Sequence, residues 1–228
     1  MDQDTSMERA KAQILQAALP HVAFDGWSEP SFRAAITDSG VAAALARALY
    51  PRGGVDLAVA YHRTGDAAMV AALAARDPSV LRFRDRVTLA IRLRLENADK
   101  ELVRRGSALF ALPQHAIEGA GLIWSTADAI WTALGDTSRD INWYSKRASL
   151  SAVYGATVLF WLGDTSDDHE ATWAFLDRRI ENVMQFEKLK AGVQKNPLTQ
   201  ALMKGPLKIL ERIAAPQPST DLPGKMKG

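Results

Sequence analysis

The sequence predicts an all-α protein, and three observations support that prediction. Apolar residues recur at intervals of three and four along almost every segment, which is the spacing of one helix face. Glycine and proline stand between these segments, where they end one helix and begin the next. No apolar run reaches the roughly 20 residues that a membrane-spanning helix needs, and 47% hydrophobic with 24% charged residues is an ordinary globular composition.

Three short helices are predicted at the N-terminus. Ser28 and Pro30 mark the start of the second helix, and Gly40 can end it in the left-handed conformation. Tyr50-Pro51 ends the third. Short helices with tight turns have the size of a helix-turn-helix unit, so we expect such a unit over residues 1–54. The predicted helices cover 6–24, 28–40 and 41–49.

Longer helices are predicted for the body of the chain, residues 55–190, before a linker at 191–197. One of them runs from Asp77-Pro78 to about Arg105. Within it, Ile91–Glu96 alternates like a strand, but the flanking residues keep the helical period and no turn residues bracket the run. The other predicted helices are 55–76, one beginning at Pro113, 140–161 and 169–190.

An aromatic pair, Trp143-Tyr144, lies in the first turn of the helix that Asp140 caps. Adjacent residues point about 100° apart around a helix, so a single core cannot easily bury both rings. We expect one ring at the surface beside Asp140 and Arg147. Two interpretations remain open: an edge-of-core pair, or an anchor for another protein, since Trp, Tyr and Arg are common hot-spot residues.

The C-terminal segment differs from the body in charge. From Lys188 onward there are eight basic and two acidic residues, so this segment carries +6 and the rest of the chain −4. Residues 198–214 separate apolar from basic positions, as a docked helix or an interfacial membrane anchor would. Residues 215–228 are expected to be disordered. The residues expected to meet an anionic membrane are Leu202, Lys204, Leu207, Lys208, Leu210 and Arg212.

No catalytic constellation is found in the sequence. It has no Cys, no P-loop, no G-x-S-x-G, no H-E-x-x-H and no Glu-x-x-His pair. Its four His residues stand alone. We therefore expect neither an enzyme nor a cofactor or metal. The acidic N-terminus resembles neither a signal nor a transit peptide, so we expect a cytoplasmic protein.

The N-terminal half resembles the TetR family of regulators. The resemblance lies in Ile14–Ala18, Gly26, Asp38–Val41 and Tyr50-Pro51, and it implies a TetR-like fold with a helical ligand-binding domain. The predicted recognition helix is alanine-rich, however. Only Arg47 and Arg52 could contact phosphates or bases, so the alternative of a ligand-responsive DNA-binding regulator ranks second.

A second resemblance covers most of the chain. The strings at 125–131 (STADAIW), 135–147 (GDTSRDINWYSKR) and 171–180 (ATWAFLDRRI) are similar to the coenzyme Q biosynthesis protein nine family. This family implies a TetR-like protein without DNA binding that forms homodimers. It is implied to bind isoprenoid quinones or phospholipid, to meet membranes through a C-terminal amphipathic helix, and to present substrate to the di-iron demethoxyubiquinone hydroxylase. Without a transit peptide, we expect a bacterial member at the inner face of the cell membrane.

The same resemblance implies which residues form the partner-binding site. Ile130 takes the place of a larger apolar residue at the edge of the family's partner-binding patch. The patch comprises Asp128, Ile130, Asp140, Trp143, Tyr144 and Arg147. The lining of the lipid pocket is expected from apolar helix positions alone, which more often form the core. These positions are Leu122, Trp124, Trp131, Leu159 and Trp161.

Overall fold

The structure is a computed structural model that describes residues 2–76 and 81–195, with the side chains of 5–76 and 81–185. These residues form helices and connecting turns, without a strand, so the predicted all-α fold is confirmed. No helix in the described part is long and apolar enough to cross a membrane. The helices are α1 (Asp2–Asp25), α2 (Glu29–Ser39), α3 (Ala43–Leu49), α4 (Gly54–Ala74), α5 (Phe83–Glu96), α6 (Lys100–Phe110), α7 (Ala116–Ala133), α8 (Ile141–Gly163) and α9 (Glu170–Lys195), with a 3-10 turn at Asp167–His169 before α9.

Several helix ends follow the predicted signals. The hydroxyl of Ser28 accepts a hydrogen bond from the amide of Ser31 at 3.3 Å, and Gly40 ends α2 with φ 66°. The carboxylate of Asp140 accepts from the amide of Asn142 at 3.0 Å and caps α8. Residues 91–96 are helical, as predicted.

The predicted long helix to Arg105 is wrong, because the chain turns at residues 97–99. Asp99 accepts hydrogen bonds from the amides of Glu101 at 2.9 Å and Leu102 at 3.0 Å, and thereby caps a separate helix, α6. The predicted helix start at Pro113 is also early. A turn closes there, with the amide of His115 donating to the carbonyl of Leu112, and α7 begins at Ala116.

Two hydrophobic clusters share α4. Its N-terminal half packs Leu57 into the first cluster, which α1, α2 and α3 complete around Phe32. Its C-terminal half packs Met69 and Leu73 into the second cluster with α5, α7, α8 and α9. Both sets are fully or almost fully buried. The shared helix therefore runs from one core to the other and, as described below, supplies the residues that lie between them.

Candidate functional site

A cavity of about 300 Å³ lies between α4, α5, α6, α7 and α8. Trp27, which follows α1, closes one side, and its indole N–H donates to the carbonyl of Leu102 at 3.1 Å. Leu159 lies at the mouth and is 69% exposed. The walls are mostly apolar, which is typical of small-molecule sites. They include Ala58, Leu95, Val103, Phe110, Ile123 and Val158.

Five polar side chains from four helices form what we call the cavity network. The Nε atom of Arg94 donates to Asp66 at 2.7 Å, and another guanidinium nitrogen of Arg94 donates to the carbonyl of His62 at 3.1 Å. The hydroxyl of Thr126 donates to the same carboxylate at 3.0 Å. Tyr154, which is 2% exposed, lies beside Thr126, Asp66 and Arg94. The Arg94 side chain is 3% exposed and that of Asp66 11%, so each buried charge compensates the other.

The close approach of Arg94 to α4 depends on Gly65. A Cβ atom at position 65 would lie 2.6 Å from the guanidinium carbon of Arg94. Any larger residue would therefore push the guanidinium away from Asp66. Nothing local in the sequence marks Gly65 as a contact across helices.

His62 lies at the polar end of the cavity as a neutral imidazole. Burial lowers the pKa of His62, and the nearby carboxylate of Asp66 only partly offsets that effect. The Nε2 atom of His62 lies 3.1 Å from the carbonyl oxygen of Leu122 and 2.8 Å from the hydroxyl of Thr126. His62 stands alone in the sequence, but in the fold it contacts α7 and lies beside Asp66 and Arg94.

Two of the residues predicted to line a lipid pocket, Leu122 and Leu159, do line this cavity. The other three predicted lining residues do not, for a geometric reason. Trp124 lies about 200° around α7 from Leu122, Trp131 about 180°, and Trp161 about 200° around α8 from Leu159.

Those three tryptophans have other contacts. The ring of Trp124 packs against that of Trp143 with 5.9 Å between centroids. Trp131 stacks on Phe83 at 5.2 Å. Trp161 is 2% exposed and belongs to the second hydrophobic cluster. None of the three lines this cavity, and their expected role in lipid binding remains a prediction.

The second site is an aromatic patch formed by Trp124, Trp143 and Tyr144. Trp143 and Tyr144 meet edge to face at 4.8 Å, and Tyr144 lies 6.5 Å from the ring of Trp124. All three residues are half-buried. The expectation that a single core cannot bury both members of the pair agrees with this result. One ring alone was expected at the surface, but both Trp143 and Tyr144 are partly exposed. Asp140 lies at the edge of the patch and is exposed.

Beneath the patch, Arg147 joins two carboxylates. Its Nε atom donates to Asp128, and a terminal nitrogen donates to Asp136 at 3.0 Å and to the carbonyl of Trp143 at 3.3 Å. The guanidinium carbon lies 4.1 Å from the centroid of the Trp143 ring. Lys146 also donates to Asp136, at 2.7 Å. We call these residues, with Ser138, the patch network.

The carboxylate of Asp136 is held in its charged form. Burial raises the pKa of Asp136. Hydrogen bonds from Lys146, Ser138 and Arg147 lower it by more than burial raises it, so the pKa lies well below the ordinary value. In both GDTS strings, at 135–138 and 163–166, the aspartate accepts a hydrogen bond from the serine two positions later.

Two members of the expected partner-binding patch are not surface residues. Ile130 is fully buried in the second hydrophobic cluster, so it cannot contact another protein directly. Arg147 is 3% exposed, because Asp128 and Asp136 compensate its charge inside the fold. The side chain of Asp128 is 44% exposed. The accessible part of the patch therefore consists of Trp124, Asp128, Asp140, Trp143 and Tyr144.

The two basic residues near the recognition helix are both engaged within the chain. Arg47 donates to Glu29, and Arg52 donates to Glu118 at 2.9 Å and to Asp56 at 2.8 Å. Both pairs would have to open before either arginine could contact phosphate. The residues expected to bind membranes, from Leu202 to Arg212, lie outside the described part of the chain.

Comparison with known proteins identifies similar chains. A model of the COQ9 family matches residues 116–187, which include the aromatic patch. "Ubiquinone biosynthesis protein COQ9, mitochondrial" of Rattus norvegicus is 30% identical over 209 residues, which cover 87% of this chain and 67% of the rat protein. "Probable ubiquinone biosynthesis protein coq9, mitochondrial" of Dictyostelium discoideum is 28% identical over 193 residues, covering 81% and 63%.

A solved structure is similar in fold. The TetR transcriptional regulator from Nitrosomonas europaea superposes with a TM-score of 0.62 at 17% identity, covering 75% of this chain and 95% of the regulator. The likeness at this identity concerns the fold alone, and the predicted TetR-like fold is confirmed.

The curated relatives correct one expectation. They carry mitochondrial names, which overturns the cytoplasmic, bacterial location expected from the N-terminal residues. The chain spans about three fifths of the length of several relatives that it matches, with coverages of 63%, 58% and 59%. From its 30% identity to the rat protein over most of both chains, and from the matching family model, the chain belongs to the COQ9 family.

Proposed function

We propose that this chain acts in ubiquinone biosynthesis as a lipid-binding accessory protein, not as an enzyme. In this role it holds an isoprenoid quinone intermediate and presents it to a hydroxylase. The cavity between α4 and α8 is the observation that carries the proposal, because its walls are apolar and its mouth opens at the exposed Leu159. The names of the relatives support the pathway and a mitochondrial location.

The size of the cavity favours partial entry of the lipid. A cavity of about 150 Å³ is large enough for one benzene molecule, so about 300 Å³ has room for a ring and the first part of an isoprenoid chain. The remainder of the chain would leave past Leu159. A phospholipid would have to place one acyl chain in the same space.

We assign the docking of the hydroxylase, a di-iron enzyme acting on demethoxyubiquinone, to the aromatic patch. Trp143 and Tyr144 are partly exposed large aromatics, and Asp128 and Asp140 supply charge at the edge. Arg147 holds the ring of Trp143 in place from below. A rigid aromatic surface loses little conformational entropy on binding, which favours affinity.

The remaining parts of this proposal concern the C-terminal segment and the assembly. Residues 198–214 would attach the protein to anionic membranes, where each basic residue contributes about 1 kcal/mol. Deleting them should reduce binding to anionic vesicles without lowering the melting temperature.

Two further predictions concern the assembly and the domains. We expect a homodimer, and we expect the chain to divide at residue 54 into an N-terminal unit and a lipid-binding body.

Native mass spectrometry of the purified protein tests lipid binding. Gly155 lines the cavity, and a Cβ at this position would meet only Ile123, at 3.9 Å. Gly155→Leu should therefore fill the cavity without breaking the helix. The matched control is Gly121→Leu on the outer face of α7, where a Cβ meets nothing within 4 Å. Bound isoprenoid in the wild type and Gly121→Leu, but not in Gly155→Leu, is expected. Equal occupancy in all three would contradict the proposal.

A DNA-binding regulator is the second candidate, favoured by the fold of the Nitrosomonas relative alone. Its weakness is that Arg47 and Arg52 are already paired with carboxylates. Binding to random duplex DNA at low salt separates the candidates. Nanomolar affinity that falls steeply with salt would reverse the ranking.

A further inference from the structure

In the cavity network, the known donors and acceptors determine which group donates in each hydrogen bond. The carboxylate of Asp66 is an acceptor for Arg94 and for the hydroxyl of Thr126. The hydroxyl of Thr126 also lies 3.2 Å from the carbonyl oxygen of Leu122. Its single proton serves one of these two acceptors, Asp66 or Leu122, which leaves the oxygen of Thr126 to accept a hydrogen bond. The nitrogen nearest to that oxygen is Nε2 of His62, at 2.8 Å.

Because the oxygen of Thr126 accepts, the tautomer of His62 is determined. The carbonyl oxygen of Leu122, 3.1 Å from Nε2, can only accept. Nε2 therefore faces two acceptors and must carry the proton. In a neutral imidazole the other nitrogen, Nδ1, is then an unprotonated acceptor. No hydrogen bond to Nδ1 is found among the described residues.

The charges around His62 favour an uncharged ligand. Arg94 and Asp66 neutralise each other within the network, and Tyr154 is uncharged, with a pKa that burial raises. A phosphate or carboxylate buried here would lack a partner for its charge. An uncharged group could instead donate a hydrogen bond to Nδ1 of His62, the acceptor nitrogen of the ring.

We propose that His62 selects a ligand with a hydroxyl-bearing aromatic head, a phenol or hydroquinone, by accepting its O–H proton in a hydrogen bond at Nδ1. This inference rests on the proposed lipid-binding function and specifies which end of the lipid enters the cavity. The head group lies against His62 and the isoprenoid chain leads to the mouth. Fully oxidised quinones, which lack the hydroxyl donor, bind more weakly.

Two matched ligands test the proposal, 4-geranylphenol and its O-methyl ether, titrated into the full-length protein and followed by tryptophan fluorescence. The wild type should bind the phenol about tenfold more tightly, the effect of one buried hydrogen bond. His62→Phe should remove this preference. His21→Phe is the matched control and should keep it. His21 lies on α1 outside the cavity lining, where its Nε2 atom is 2.7 Å from the carboxylate of Asp38.

A measurement on the wild type removes any dependence on the folding of the variants. The ¹⁵N resonance of Nδ1 of His62 should move upfield when the phenol binds and stay in place with the ether. Equal affinities in the wild type, a preference that persists in His62→Phe, or an unmoved Nδ1 resonance would each overturn the inference while leaving lipid binding intact. If neither compound binds, the proposed function itself fails, and this inference fails with it.

Discussion

The cavity network and the patch network are both built around an arginine that is 3% exposed, yet the two arginines have different surroundings. Arg94 has one carboxylate partner, Asp66, which is itself buried. Arg147 has two partners, and one of them, Asp128, is 44% exposed. Asp136, the other, also binds Lys146.

This difference indicates what each network does. Arg94 donates to Asp66 and to the carbonyl of His62, and Nδ1 of His62 has no hydrogen bond among the described residues. Around Arg147 the charges hold the Trp143 ring at the surface. The same pair of residue types thus borders an apolar cavity in one place and supports an aromatic ring at the surface in the other.

The largest expected effect is the loss of the buried charge pair. Arg94→Met leaves the carboxylate of Asp66 buried without its cation and should lower the free energy of unfolding by about 3–5 kcal/mol. Arg147→Met should cost less, roughly 1.5–3 kcal/mol, because Lys146 still binds Asp136 and Asp128 reaches solvent. Urea denaturation measures both. Arg92→Met, an exposed α5 variant, is the control. A larger loss for Arg147→Met than for Arg94→Met would contradict the comparison.

Trp143→Ala tests the exterior surface. Removing such an anchor typically costs 2 kcal/mol or more, which is at least ~30-fold in affinity for the hydroxylase. The melting temperature should fall less than for a core tryptophan, since the ring is only half-buried. Calorimetric titration and circular dichroism on the same samples measure both quantities.

Trp173→Ala, a half-buried tryptophan on α9 away from the patch, is the matched control for that experiment. It should keep its affinity for the hydroxylase. If both variants lose binding equally, or if Trp143→Ala binds normally, the docking surface lies elsewhere.

Gly65→Ala examines the close contact that the cavity network requires. The added methyl would lie 2.6 Å from the Arg94 guanidinium, and overpacking of this kind costs about 1–3 kcal/mol. Gly121→Ala, where the methyl meets nothing within 4 Å, should be neutral or slightly stabilising. Thermal unfolding of the two variants is the measurement. A stable Gly65→Ala protein would show that Arg94 can shift without loss.

The smallest expected effect is on the pH dependence of stability. Burial lowers the pKa of His62, whose charged neighbours are Arg63, Asp66 and Arg94. The unfolded chain then binds more protons, so stability should fall as the pH decreases from about 6.5. His62→Phe should lose this dependence.

A second decrease in stability is expected in stronger acid, from the patch network. The pKa of Asp136 is depressed in the folded protein, so its stabilisation is present above the ordinary pKa of about 3.9 and is lost as the pH falls further. Stability that is flat from pH 8 to 5 in the wild type would contradict the His62 assignment. A flat profile below pH 4 would contradict that of Asp136.

Local signals predicted much of the fold. The caps at Ser28 and Asp140 and the left-handed Gly40 lie within a few residues of the helix ends that they determine. The missed break between α5 and α6 also had a local signal, since Asp99 precedes Glu101 at the spacing of a cap.

The sites were harder to predict because they depend on contacts between distant residues. Asp66 and Arg94 are 28 positions apart, and Thr126 is 60 from Asp66. No spacing rule connects them. Trp124 and Trp131 are large apolar residues, as a pocket lining needs, but their angles from Leu122 around α7 direct them away from the cavity. The burial of Arg147 depended on a loop aspartate, Asp136, whose partners cannot be read from sequence.

The central claim is that the cavity and the aromatic patch have separate functions. Native mass spectrometry of Gly155→Leu and Trp143→Ala, purified side by side with the wild type, tests it most directly. Gly155→Leu should lose its bound isoprenoid lipid, and Trp143→Ala should retain it at the wild-type level. Lipid retained by Gly155→Leu, or lost from a folded Trp143→Ala protein, would contradict the account.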